Sequence, residues 1–127
     1  MDFILYLLPI HLEILETLQL ARVSIVEHHS KCNNKFDGWF MTTKDPANDS
    51  GGMKLAMCTD TIKSNYVNWQ YEINRTLAHE SVHAAQACKE GNGYIERLGF
   101  RKDAESEAFA IQDNPREVLR ILKKYCL

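Results

Sequence analysis

Residues 68 to 90, NWQYEINRTLAHESVHAAQACKE, run without a proline or glycine, and Gly91 follows where a helix commonly stops. A helix of this length has to be buried somewhere, and its middle shows where. His79 and His83 are four residues apart, which puts them one turn apart on one face. Around them Thr76, Leu77, Ala78, Ser81, Val82, Ala84 and Ala85 are all uncharged. A helix on a solvated surface would carry more lysine and glutamate. This one is expected inside the domain, with the rest of the chain packed round it.

The chain has 127 residues, enough for a single domain, 1–127, with one hydrophobic core. Its net charge of −2 gives no basic footprint for nucleic acid or an anionic membrane surface. The opening MDFILYLLPI is apolar. It carries Asp2 where a signal peptide carries lysine or arginine, and no small-residue cleavage site follows. It is also far shorter than the roughly 20 residues a spanning helix needs. It reads as a core segment, and no membrane span is expected. Cys32, Cys58, Cys88 and Cys126 form no CxxC pair, so a structural zinc knuckle is not expected. Without an export signal, reduced thiols and a cytoplasmic location are expected.

Apolar residues at Ile10, Leu12, Ile14, Leu15, Leu18 and Leu20 predict a helix over 10–22, with Pro9 suited to its first turn. VSIV at 23–26 either extends it or forms a short strand. FDGWFMTT (36–43) and MKLAMC (53–58) predict two strands joined as a loose hairpin by the turn formers KDPANDSGG. GNGYIERLGFRK connects to an alanine-rich helix over 103–112. Asn114 and Pro115 then cap and start a last helix with the apolar stripe Val118, Leu119, Ile121, Leu122 and Tyr125. The fold class predicted is α+β: a small antiparallel sheet packed on helices, with the histidine helix at its centre.

His-Glu-x-x-His on a helix has a chemical use. Two imidazoles one turn apart can hold one metal ion from a rigid support. Glu80 lies about 100 degrees further round, where its carboxylate reaches a water beside the metal without displacing a ligand. The histidines would hold zinc, the water becomes acidic, and the glutamate takes its proton and later returns it to a leaving group. With five histidines and ten glutamates in the chain, chance alone yields this pattern on the order of once in a hundred such sequences.

This pattern on an uncharged helix resembles the zincin metallopeptidases. The metzincin extension needs a histidine at position 89, which is Lys89, and no histidine follows His83. The resemblance therefore implies a carboxylate as third ligand, with Cys88 or Cys126 as the less favoured choice. Gluzincins take this ligand from a downstream helix, often as Glu-x-x-Ala. Two overlapping copies occur here, Glu105 to Ala108 and Glu107 to Ala110. Glu105 is preferred, because Ala108 and Ile111 then occupy the offsets the family gives to small and apolar residues.

A second likeness is longer. MKLAMCTDTI, INRTLAHESVHAAQACKE and DAESEAFA, in that order, are similar to the small mitochondrial inner-membrane metallopeptidase family that processes an ATP-synthase subunit. Cys58, Thr76 to Glu80, His83, Cys88, Ser106 and Glu107 carry it, and it favours Glu107. Ala85-Gln86 departs from that family's aromatic residue and aspartate, and its cysteine-rich tail is missing.

Gln86, three residues after His83, could bond a ligand. His28 and His29 are adjacent and point apart, and Cys88, Trp39 and Trp69 suit a core. In the zincin fold a strand edge beside the active-site helix binds peptide in extended form, and Met53 to Cys58 is the candidate strand. Tyr94 is the candidate oxyanion stabiliser. These readings imply a gluzincin-like zinc peptidase acting on a peptide or protein substrate. The alternatives are a non-catalytic zinc-stabilised interaction domain, and a helical partner-binding module in which the motif is accidental.

Overall fold

Pro9 opens the first helix because its missing N–H would be unpaired there in any case. In the computed structural model, which describes residues 1–30, 32–42, 52–90 and 102–127, helix α1 runs Pro9–Leu20 and buries Ile14, Leu15 and Leu18. The apolar N-terminus before it is a 3-10 turn, Asp2–Tyr6, that buries Phe3 but leaves Leu5 exposed, as Leu8 is just after it, so the expected core segment is buried only in part. Two side chains hold this turn. Glu27 accepts the amides of Asp2 and Phe3 at 2.8 and 2.9 Å, and Asn74 accepts the amide of Leu8 at 2.9 Å while donating to the Tyr6 carbonyl.

Three strands follow: β1 (Ser24–Glu27), β2 (Gly38–Thr42) and β3 (Met53–Met57). VSIV is thus a strand, not a helix extension. β2 and β3 pair antiparallel, with Phe40 opposite Leu55, as the predicted hairpin requires. The sheet as a whole departs from expectation: its order is β1-β3-β2, and β1 pairs with β3 in parallel, Ile25 opposite Leu55. The chain leaving β1 crosses the C-terminal end of β3 before returning as β2 on the far side. That crossing is fixed by His28 N–H on the Met57 carbonyl at 3.0 Å and Cys58 N–H on the Asp37 carbonyl at 2.8 Å. β3 is consequently central, so Met53 to Cys58 is not the edge expected to receive a peptide. β2 is the edge strand beside the helices.

Helix α2 (Thr59–Asn65) follows β3 directly, and α3 (Trp69–Glu90) is the predicted long helix. α4 (Lys102–Ile111) and α5 (Pro115–Cys126) complete the chain, with the Asn114 side chain accepting the Glu117 amide at the start of α5. The α+β class is as read from the sequence. α3 is the hub, packing against α1, α2, α4, α5, β2 and β3. Ile73, Leu77 and Val82 on α3 join Ile14, Leu18, Leu55, Met57, Ile62, Val118 and Leu122 in the fully buried core. Among the described residues no helix is long and apolar enough to cross a membrane.

The thiols are not reduced. Cys32 pairs with Cys58 and Cys88 with Cys126, at Cα separations of 5.7 and 5.2 Å. Sequence spacings of 26 and 38 residues gave no hint of this. The β1–β2 crossing brings Cys32 over the end of β3. α5 runs alongside α3 in the same direction, with Asp113 just before α5 beside Tyr71 and Arg75 near the start of α3, so Cys88 and Cys126 meet at the last turns of the two helices.

Candidate metal centre

α3 positions both histidines because its own backbone is fully supported at that point. Ser81 bonds back to the Leu77 carbonyl at 2.6 Å, and the helix is buried from Thr76 through Ala87 except at His79, which is partly open. The rings of His79 and His83 stand edge to face, 5.1 Å apart. The nearest ligand atoms of His79, Glu80 and His83 all lie within 4.8 Å of one another.

α4 crosses α3 on the small buried residues Ala104 and Ala108. At about 100 degrees per residue, Glu105 and Glu107 fall on opposite sides of that alanine stripe. Glu105 Oε1 is in direct contact with His83 Nε2 and 3.6 Å from His79 Nε2. Glu107 lies on the other side, where its carboxylate accepts Gln86 Nε2–H at 2.9 Å. Glu105 therefore converges with the histidines, and Glu107 supports Gln86. Cys88 and Cys126, the less favoured ligands, are joined to each other.

Gln86 fixes His83. Its amide nitrogen donates to the Ala104 carbonyl at 3.0 Å and to Glu107, so its oxygen faces His83 and accepts Nδ1–H at 2.8 Å. The Nε2 atom of His83 is then the one that faces Glu105. His79 also has a glutamine behind it, Gln112, whose amide lies 2.8 Å from Nδ1, and the Phe109 ring packs against its imidazole at 4.7 Å. Burial holds His79 below the ordinary histidine range; Gln112 and Glu105 pull upward against it, and His83 adds to the depression. A neutral imidazole is what a metal requires.

Glu80 is the unusual group. It is 5 % exposed, and its Oε2 has no hydrogen-bond partner among the described residues. Burial, then the carboxylates of Glu105 and Asp37, push its pKa up to about 8. Gly38 makes this crowding possible. A Cβ there would stand 2.7 Å from Thr76 Cγ2, 2.9 Å from the Ala56 carbonyl and 3.5 Å from Glu80 Cγ, so only glycine lets β2 lie against α3. Asp37, next to it, accepts the Tyr66 hydroxyl at 2.7 Å. Between β2 and the helices runs a cleft of about 870 Å³, onto which His79, Glu80, His83 and Glu105 open.

Two imidazole nitrogens and one carboxylate match the donor set of catalytic zinc sites, which keep the fourth position open. The orphaned Glu80 oxygen is a buried acceptor that a water beside a metal would satisfy. The residues fit the ion.

A family described as Domain of unknown function (DUF8637) matches residues 3–99. The chain belongs to the DUF8637 family. No curated protein matches it, and no solved structure does. The DUF8637 match contains His79, Glu80 and His83 and stops short of Glu105.

Sequence reasoning missed Gln112, Phe109, Gly38 and Asp37. A signal existed for the first two: they lie seven and four residues after Glu105, so any helix that turns Glu105 toward the metal brings them to the same face. Gly38 and Asp37 had no such signal, because their contacts with α3 depend on the sheet topology. Tyr94, with the connecting segment that carries it, lies outside the described residues.

Proposed function

We propose that this protein is a zinc-dependent metallopeptidase of gluzincin-like type. The observation that carries the proposal is the Glu80 carboxylate. It is buried and half-unpartnered, it adjoins two imidazoles, and it opens onto a cleft. A purely structural site has no use for a desolvated acid in that position.

His79, His83 and Glu105 would hold zinc, which supplies Lewis acidity: it acidifies a water and polarises a carbonyl oxygen. Glu80 handles the proton. Beside a dication its charged form is favoured over the protonated one, which offsets the effect of burial, Glu105 and Asp37. The carboxylate takes a proton from the attacking water and delivers it to the leaving amine. Gln86 keeps the hydrogen of His83 on Nδ1, away from the ligand nitrogen. β2, at the sheet edge along the cleft, would align an extended peptide by main-chain pairing, with modest demand on side-chain identity. The two disulfides favour work in an oxidising compartment over the cytoplasm.

Zinc-loaded protein incubated with a mixed peptide library tests this. Cleavage that stops on chelation and resumes on zinc addition is the expected result. Stoichiometric zinc with no cleavage of any peptide favours a zinc-stabilised interaction domain. No bound metal, with thermal stability unaffected by chelator, favours a helical binding module with an accidental motif.

A further inference from the structure

The glutamines behind the two histidines are in opposite situations. Gln86 satisfies every partner in one orientation, with its oxygen on His83 and its nitrogen on Ala104 and Glu107. Gln112 cannot satisfy both of its neighbours while His79 binds a metal. One side of its amide faces His79 Nδ1, and the other faces the Arg75 guanidinium. With its oxygen toward His79, Gln112 accepts Nδ1–H at 2.8 Å and leaves the Nε2 lone pair for a metal. Its NH2 then meets Arg75, donor against donor. Turned over, its oxygen accepts from Arg75 Nε at 2.8 Å and Nη2 at 2.9 Å, and its nitrogen donates to His79 Nδ1. The ring hydrogen of His79 must then sit on Nε2, the nitrogen a metal needs. No net proton is gained or lost between the two arrangements.

Arg75 does not move aside freely. Asp113 holds it through Nε at 3.1 Å and Nη2 at 3.3 Å, and Glu72 stands 3.8 Å from its Nη1. Tyr71 in turn donates its hydroxyl to Asp113 at 3.0 Å. The guanidinium edge is thereby kept against Gln112.

We propose that Arg75 and Gln112 are positioning residues that weaken metal binding at His79: metal entry turns the Gln112 amide over, and Arg75 sets the energetic cost of that turn. The inference rests on His79, His83 and Glu105 being the metal ligands. It makes an uncommon prediction, that removing a cation several bonds from the site tightens the site.

The test is a zinc competition titration against a chromophoric chelator, using the full disulfide-bonded chain as wild type, Arg75→Met and Gln112→Glu. In Arg75→Met nothing opposes the metal-competent amide. In Gln112→Glu a carboxylate accepts from His79 and Arg75 at once. Each variant is expected to bind zinc about tenfold more tightly, the lower end of what partners of metal-bound histidines are worth. Equal or weaker binding in both overturns the proposal. Imidazole nitrogen NMR of the zinc-free wild type needs no variant. It should find the hydrogen of His79 on Nε2 and that of His83 on Nδ1, with both on Nδ1 once zinc is added. A His79 hydrogen on Nδ1 without zinc overturns the proposal. A wild type that binds no zinc overturns the metal reading itself, whereas zinc binding with no gain in the variants overturns only the role of Arg75 and Gln112.

Discussion

Among the described residues, two clusters combine histidine with carboxylates: His79–Glu80–His83 on α3, and Asp2–Glu27–His28 where the N-terminal turn meets β1. Their glutamates behave oppositely. Burial pushes Glu27 upward, but the Thr59 hydroxyl at 2.6 Å, the Asp2 and Phe3 amides and His28 outweigh it and hold its pKa below the ordinary range. Glu80 Oε2 has no such donor among the described residues, and the group is pushed up to about 8 by burial and by its carboxylate neighbours. A carboxylate surrounded by donors fastens chain segments together. A buried one lacking them stores unfavourable energy that a bound cation and water can release. Composition alone would rank the two clusters equally, and hydrogen-bond satisfaction separates them.

The largest expected effect falls on Glu80. Glu80→Gln should lower peptide hydrolysis by about 10²–10⁴-fold while zinc stays bound, read from steady-state rates beside metal analysis. Full activity in this variant would erase the distinction between the clusters.

The pH dependence of metal-free stability comes next. Folded Glu80 keeps its proton to about pH 8, whereas the unfolded side chain releases it near pH 4.5. Between those values the folded state holds more protons, so stability is full below the lower value and falls as pH rises through the upper one. Urea unfolding of chelator-treated protein should show wild type losing up to roughly 4 kcal/mol relative to Glu80→Gln across that range. Saturating zinc should remove the slope. Glu27 has the opposite sign. Its contribution is present above its unfolded pKa and is lost as pH falls through its depressed folded value.

Glu27→Gln should cost about 2 kcal/mol by weakening charge-assisted bonds to Thr59, Asp2 and Phe3, with zinc stoichiometry unchanged. Loss of zinc in this variant would couple two clusters that the account keeps apart. The smallest effect belongs to His28, which faces Glu27 and Asp60 at 3.9 and 3.5 Å on a partly exposed surface. His28→Asn, which tolerates the φ of 59° there, should change stability by no more than about 0.5 kcal/mol in thermal unfolding.

The sequence exposed what local chemistry decides. The bounds of α3 followed from the absence of proline and glycine between Trp69 and Glu90, the start of α5 from Asn114-Pro115, and the β2–β3 hairpin from two β-favouring runs around turn formers. α2 was not legible. TDTIKSN is short and carries β-branched threonines and isoleucine, and it is helical because Thr59, Thr61 and Ile62 are buried there. The parallel partner of β3 and both disulfides arise from the chain's path between distant segments, which spacing does not encode. The site was half legible for the same reason. His79, Glu80 and His83 share one helix, so their relation is fixed by helical geometry. The preference for Glu105 rested on a resemblance, and which of Glu105 and Glu107 faces the histidines depends on the alanine-lined crossing of α4 on α3.

Zinc K-edge X-ray absorption on the zinc-loaded chain tests the ligand set directly. The account predicts one zinc surrounded only by nitrogen and oxygen at about 2.0–2.2 Å, two of the ligands imidazoles, with the pattern lost in His83→Ala. A sulfur shell at about 2.3 Å, or no zinc retained under zinc-replete conditions, would contradict it.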